Sequence, residues 1–227
     1  MSPDYQGDRQ IAINQAAQWM GLKPVFLDTE TTGLDGNAEI CDIAVIDFDG
    51  VVLFETLVKP SQPIPAEAGD IHGITDAMVK HAPRFEQVLD RLDKVLQGRT
   101  VVIYNSAFDT RLISQSCASP FHWWWLPRDG ESARDFYSRP ARWHCAMNAY
   151  AQYNGDWNDY HQSYRWVKLE SAALACDIAL PAVLHRARVD AELTRQVVMY
   201  MAGQRQLEAA YQRSYENPDP AAFGQDD

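Results

Sequence analysis

Five residues of kinds that handle metal ions and protons follow one another along the chain: Asp28 and Glu30, then Asp109, then His185 and Asp190. Four are carboxylates, the hard oxygen donors that suit Mg²⁺ or Mn²⁺, and the fifth is an imidazole, suited to taking a proton near neutral pH. Asp28 and Glu30 lie in Pro24-Val25-Phe26-Leu27-Asp28-Thr29-Glu30-Thr31-Thr32-Gly33-Leu34. Its apolar run, bounded by proline and glycine, reads as a buried strand. Side chains alternate along a strand, so the two acids point the same way. Paired carboxylates at the end of an apolar strand are costly unless a cation lies between them. The plainer alternative is a strand that ends in polar residues at the surface.

The third acid closes Asn105-Ser106-Ala107-Phe108-Asp109, after the apolar run Val101-Val102-Ile103-Tyr104. Ser106 followed by Asp109 also fits helix capping, and an acid in a first turn is favoured by the helix dipole. The last patch is His185-Arg186-Ala187-Arg188-Val189-Asp190. Five residues of helix turn through roughly 500°, leaving His185 and Asp190 about 140° apart. They cannot share a helix face. They converge only if His185 stands in the loop before a helix and Asp190 in its first turn. Otherwise His185 is a surface histidine and Asp190 a dipole-complementing acid. His72, in Ile71-His72-Gly73-Ile74-Thr75, is a lone loop histidine.

Such residues meet only if strands and helices carry them there. After a ragged start at 1–7, the spacing of Ile11, Ile13, Ala16, Ala17 and Met20 predicts a helix over 8–20, stopped by Gly21. A strand over 25–30 follows. Residues 39–49 alternate, Asp49-Gly50 reads as a two-residue hairpin turn, and 51–58 is the returning strand. Prolines 60, 63 and 65 mark a loop, and Thr75 is placed as a helix cap. Phe85, Val88, Leu89, Leu92 and Leu96 give an amphipathic helix ended by Gly98. A short strand over 100–104 runs into a helix over 105–117. The proline- and tryptophan-rich stretch 118–142 reads as an insertion, 143–153 as strand or helix, and 154–165 as a polar, aromatic loop. Helices are predicted over 168–177 and 187–213. This order implies an α/β fold, a mixed sheet with an antiparallel hairpin and parallel strands, flanked by helices.

The chain of 227 residues, 46% hydrophobic, is long enough for one substantial core. It divides into an N-terminal helical extension (1–22), a main domain (23–213) and a disordered acidic tail (214–227). No apolar run reaches the roughly 20 residues that span a bilayer, and Met1-Ser2-Pro3-Asp4-Tyr5 does not open like a signal peptide. Cys41, Cys117, Cys145 and Cys176 are scattered, which fits reduced thiols and a cytoplasmic setting. A net charge of −11 argues against a long, salt-sensitive nucleic-acid footprint. It does not argue against local capture of a strand end. Setting aside the four candidate ligands and four tail acids (Glu216, Asp219, Asp226, Asp227) takes 31 acids down to 23, against 20 lysines and arginines.

Together, Asp28-Thr29-Glu30-Thr31-Thr32-Gly33-Leu34, Ile71-His72-Gly73-Ile74, Asn105 through Asp109 and His185-x-Ala187-x-x-Asp190 resemble the DEDD-type 3′–5′ exonucleases of the ribonuclease H-like superfamily. The match is to their histidine-bearing (DEDDh) branch, which includes polymerase proofreading subunits, and it covers about residues 23–203. The resemblance implies a two-metal phosphodiester hydrolase using two Mg²⁺ or Mn²⁺ ions. It implies that Asp28 bridges both ions, that Glu30 and Asp190 complete one site, and that Asp109 supports the other. His185 becomes the general base, with Glu30 beside it in the catalytic set. Thr31 and Thr32 fall near the terminal sugar, Leu34 beside the last base as a wedge, and His72, Asn105 and Phe108 in the same pocket. For Leu34 and Phe108, ordinary core packing is the alternative.

The implied substrate is the 3′ end of DNA, single-stranded or frayed. An exoribonuclease with the same site, or a nuclease-like module that binds without cleaving, is the competing reading. Trp123-Trp124-Trp125 fits either a base-stacking platform or a packed flap or subunit interface. Trp157 to Trp166 precedes the last motif and is placed along the strand path. No docking motif for a polymerase is evident, and no membrane partner is expected.

Overall fold

In the computed structural model, which describes residues 3–117 and 143–203, strand β1 (Val25–Thr31) runs through the middle of a five-stranded sheet. On one side lie β2 (Ile40–Asp47) and then β3 (Val52–Leu57), both antiparallel to their neighbours. On the other lie β4 (Val101–Ile103) and β5 (Trp143–Cys145), both parallel. This is the predicted mixed sheet.

Helices cover both faces: α1 (Tyr5–Gly21), α2 (Ala66–His72), α3 (Asp76–Val79), α4 (Phe85–Leu96), α5 (Ser106–Ser116), α6 (Ala146–Asn154), α7 (Leu169–Ala175) and α8 (Ala187–Met201). Phe26, Ile46 and Val102 face a core built with α1, α6, α7 and α8. Val25, Leu27, Val101 and Ile103 face a second core built with α4 and α5. A strand covered on both faces carries apolar residues in succession rather than in alternation, which explains the run Val25-Phe26-Leu27. In α4, Phe85, Val88, Leu92 and Leu96 are the buried stripe, as their spacing predicts. In α8, Ala187, Ala191 and Thr194 are fully buried, and these small residues bring the helix close to β1 and β2.

Several elements differ from the sequence expectation. Helix α1 begins at Tyr5 because the Asp4 carboxylate accepts from the Gly7 N–H at 3.1 Å and caps it. Its buried stripe is Ala12, Ala16, Trp19 and Met20, while Ile11 is 56% exposed. Seating the large indole, 5.0 Å from the His144 ring, decides which way the helix rolls. The residue with left-handed backbone after α1 is Lys23, not Gly21. The hairpin turn is longer than two residues: Phe48 to Val51 lie between the strands, with Gly50 at φ 88° donating to the Asp47 carbonyl at 2.9 Å. Arg195 from α8 holds this turn by the Phe48 carbonyl, at 3.1 Å. A short helix, α2, stands where a loop was expected. Residues 143–153 give both β5 and most of α6, and the 154–165 loop contains a small ladder, β6 (Trp157–Asn158) with β7 (Ser163–Tyr164). The Trp-rich stretch 118–142, the predicted helical residues 204–213 and the acidic tail lie outside the described residues. Among the described residues, no helix is long and apolar enough to cross a membrane.

Candidate active site

The carboxyl ends of the parallel strands β1 and β4 meet the first turns of α5 and α8, where reactive groups gather in such sheets. The pleat of β1 leaves Asp28 and Glu30 half-buried on one face and buries Thr29 and Thr31 on the other. Asp190 enters from the first turn of α8. Ligand oxygens of Asp28, Glu30 and Asp190 lie within 4.8 Å of one another.

Asp109 stands apart from that group. It is 3% exposed in the first turn of α5, and its Oδ1 accepts a 2.7 Å hydrogen bond from the Thr29 hydroxyl. Of the charges that act on Asp28, that of Asp109 is nonetheless the largest.

All four acids are pushed above their ordinary range, with burial the main cause each time. Asp28 rises well above it, with Asp109, Glu30 and Asp190 adding to the effect. Glu30 rises to about 8, against a lowering influence from Arg186. Asp109 rises to about 7 despite its bond to Thr29, and Asp190 to about 6 despite the neighbouring His185. Desolvated carboxylate oxygens crowded together in this way form the donor set a hard divalent cation prefers. The residues fit such an ion.

His185 occupies the loop before α8, the one position from which it could converge with Asp190. Its Nδ1 is 3.8 Å from Asp190 Oδ2 and its Nε2 is 3.7 Å from Glu170 Oε1. The ring is therefore bracketed by two carboxylates yet partly open to solvent. Its backbone is left-handed, with φ 56°.

The other predicted residues divide between exposed and structural positions. Leu34 is 80% exposed, so it is not core packing. Its loop is gripped from α5: Arg111 donates to the Leu34 and Asp35 carbonyls at 3.2 and 3.1 Å, and Gln115 to Asp35 and Ala38 at 3.1 and 2.8 Å. The Thr31 hydroxyl donates to the Gly33 carbonyl at 2.8 Å, while that of Thr32 accepts from the Glu39 N–H at 3.0 Å. Both hydroxyls hold the turn that leaves β1. His72 is buried, accepting from the Ile74 N–H at Nδ1 (3.0 Å) and donating from Nε2 to the Thr31 carbonyl (3.3 Å). Burial lowers its pKa, and the ring braces the Thr31 backbone. The Asn105 carbonyl accepts from the Phe108 and Asp109 N–H groups and starts α5. Phe108 packs partly into the core beneath that helix.

Sequence reasoning missed Thr29, Asp42, Glu170 and the role of Arg186. Asp42, 2% exposed, sits opposite Glu30 in the β1–β2 ladder and accepts from Arg186 Nε at 2.9 Å. An acid inside the apolar strand Ile40-Cys41-Asp42-Ile43-Ala44 was the available signal.

The exonuclease family model RNase_T matches residues 25–198, which span this site from β1 to α8. The uncharacterized exonuclease CP81 of Escherichia phage 186 is 38% identical over 188 residues, covering 83% of this chain and 92% of the phage protein. The DNA polymerase III epsilon subunit of Rickettsia typhi is 33% identical over 99 residues, covering 41% of this chain and 43% of that subunit. Among solved structures, exonuclease X in complex with 5′-overhanging duplex DNA is 27% identical with a TM-score of 0.52, covering 79% of this chain and 92% of that one. The chain belongs to the exonuclease family: it is a nuclease, a hydrolase with a ribonuclease H-like fold.

Proposed function

We propose that this chain is a metal-dependent 3′–5′ exonuclease that releases nucleoside monophosphates from the 3′ end of DNA, acting on single strands or frayed ends. The observation that carries the reading is the convergence of Asp28, Glu30 and Asp190 within 4.8 Å, with His185 beside Asp190. The resemblance to a polymerase III epsilon subunit and to exonuclease X, which was solved with DNA, favours DNA over RNA.

Asp28, Glu30 and Asp190 would hold one Mg²⁺ or Mn²⁺, and Asp28 with Asp109 a second. A bound divalent pair supplies an activated water and charge compensation at the leaving oxygen. His185, half-open at the start of α8, would be the proton acceptor for the attacking water. The backbone at Thr31 and Thr32 is assigned the contact to the terminal sugar. Leu34, standing in solvent beside them, meets the last base pair and separates it. Asn105 and Phe108 shape the floor, and His72 keeps the Thr31 carbonyl in place. The catalytic unit is residues 23–213, with residues 1–22 as an extension whose helix packs on α6 and α8. The scattered cysteines Cys41, Cys117, Cys145 and Cys176 favour a reducing, cytoplasmic setting.

Digestion of 5′-labelled DNA and RNA oligonucleotides, with Mg²⁺, with Mn²⁺ and with chelator, tests the reading. A ladder shortening from the 3′ end of DNA, abolished by chelator, is expected. Faster loss of RNA would make the protein an exoribonuclease. Metal uptake without any cleavage would make it a binding module.

A further inference from the structure

Resting on the reading of His185 as proton acceptor, we propose that Arg186 and Asp42 are positioning residues that set the stance of His185 over the carboxylates. Asp42 is an acid within a strand whose other residues from Ile40 to Ile46 are all buried and uncharged. Directly opposed residues in an antiparallel ladder leave the sheet on the same face, so its carboxylate stands beside that of Glu30. A buried carboxylate needs a partner, and it finds one in Arg186.

Arg186 is joined to the site in three ways. Its side chain bonds Asp42 at 2.9 Å, next to Glu30. Its carbonyl accepts the Asp190 N–H at 3.0 Å and the Val189 N–H at 2.7 Å, beginning α8. Its amide follows His185, whose φ of 56° disfavours any residue carrying a Cβ. The Arg186 side chain does not cap its own helix but turns to the sheet. The strained residue is thereby held between a helix start and a buried strand position. The neighbouring Arg188–Glu55 pair is looser at 3.8 Å and more exposed, and it anchors nothing comparable. Arg186 and Asp42 are placed to orient His185 without touching a substrate.

The test is a kinetic mutant cycle on the full chain, using a single-stranded DNA oligonucleotide and Mn²⁺. Arg186→Ala should lower kcat by about 10–100-fold, the usual loss when a supporting partner is removed, with KM little changed. The same substitution made on His185→Ala should cost nothing further, because the residue being positioned is gone. Multiplicative losses, or a wild-type kcat in Arg186→Ala, would overturn the inference. Removing the arginine leaves Asp42 buried and unpaired, so folding is checked by circular dichroism. If that variant is unfolded, Asp42→Asn with Arg186→Gln decides, since it keeps a neutral hydrogen-bonded pair. That double variant should retain kcat within a few-fold of wild type, and a folded protein as slow as His185→Ala would overturn the proposal. Normal turnover by His185→Ala would remove the underlying reading and the inference with it. A slow His185→Ala beside a fast Arg186→Ala removes the inference alone.

Discussion

The hydroxyl of Thr29 donates to Asp109 Oδ1 at 2.7 Å, joining the end of β1 to the first turn of α5 between two groups separated by 79 intervening residues. Both are buried, so the bond has no water to replace it. Thr29→Val keeps the shape and removes the donor. It should destabilise the fold by about 1–3 kcal/mol in thermal or urea melts. Calorimetric titration should also show Mn²⁺ affinity falling by about tenfold, as for other residues that orient a ligand. Unchanged metal affinity would place Asp109 outside the metal site.

His185→Ala should bind Mn²⁺ as the wild type does and lose about 10²–10⁴ in kcat. Asp28→Ala should lose metal-dependent cleavage almost entirely, because the proposed function assigns Asp28 to both ions. Measuring uptake and turnover on the same preparations separates the two roles. Equal loss of uptake in both variants would contradict the assignment.

The four acids bind their protons more tightly in the folded chain than in the unfolded one. Protonation therefore favours the fold. Their contribution is full below the ordinary carboxylate range near pH 4 and is lost as the pH rises through about 6 for Asp190, 7 for Asp109 and 8 for Glu30. Over that window, chelator-treated protein should lose melting temperature on going from about pH 5.5 to 8.5. Mn²⁺ or Mg²⁺ should raise it more at the alkaline end, where protons no longer compete for the oxygens. Equal metal-induced shifts at both pH values would refute the shared site.

Arg111 and Gln115 grip the carbonyls of Leu34, Asp35 and Ala38. If Leu34 parts the terminal base pair, freeing its loop should harm paired ends most. Arg111→Ala with Gln115→Ala should slow digestion of a blunt duplex by about tenfold while single-strand digestion changes little, since misplaced positioning groups are felt where geometry is demanded. A uniform loss on both substrates would point to general loosening of α5.

The sequence carried the site better than its supports. Period-two alternation was enough to pair Asp28 with Glu30, and helix geometry left one way for His185 and Asp190 to converge, from a loop and a first turn, beside the alternative that they do not meet. Both arguments are local. Asp42 stood out as an acid in an apolar strand, but its partner, Arg186, lies far along the chain and only the fold brings them together. The bulge between Glu30 and Thr31, where Thr31 skips Cys41 to pair with Ile40, leaves no mark in the hydrophobic pattern. The face of α1 was misjudged because apolar residues occur all round it, and packing of Trp19 settles the orientation. The length of the hairpin turn depends on Arg195 of the last described helix, which no window around Asp49-Gly50 contains.

The small-residue face that seats α8 against the sheet has a temporal consequence. Asp190 is the last of the four acids in the chain, and it reaches Asp28 and Glu30 only once Ala187, Ala191 and Thr194 have docked. A nascent chain that has made β1 and α5 already displays three acids but lacks both the closing oxygen and the imidazole. On the proposed reading, a chain that ended before this helix would bring neither Asp190 nor His185 to the other three acids.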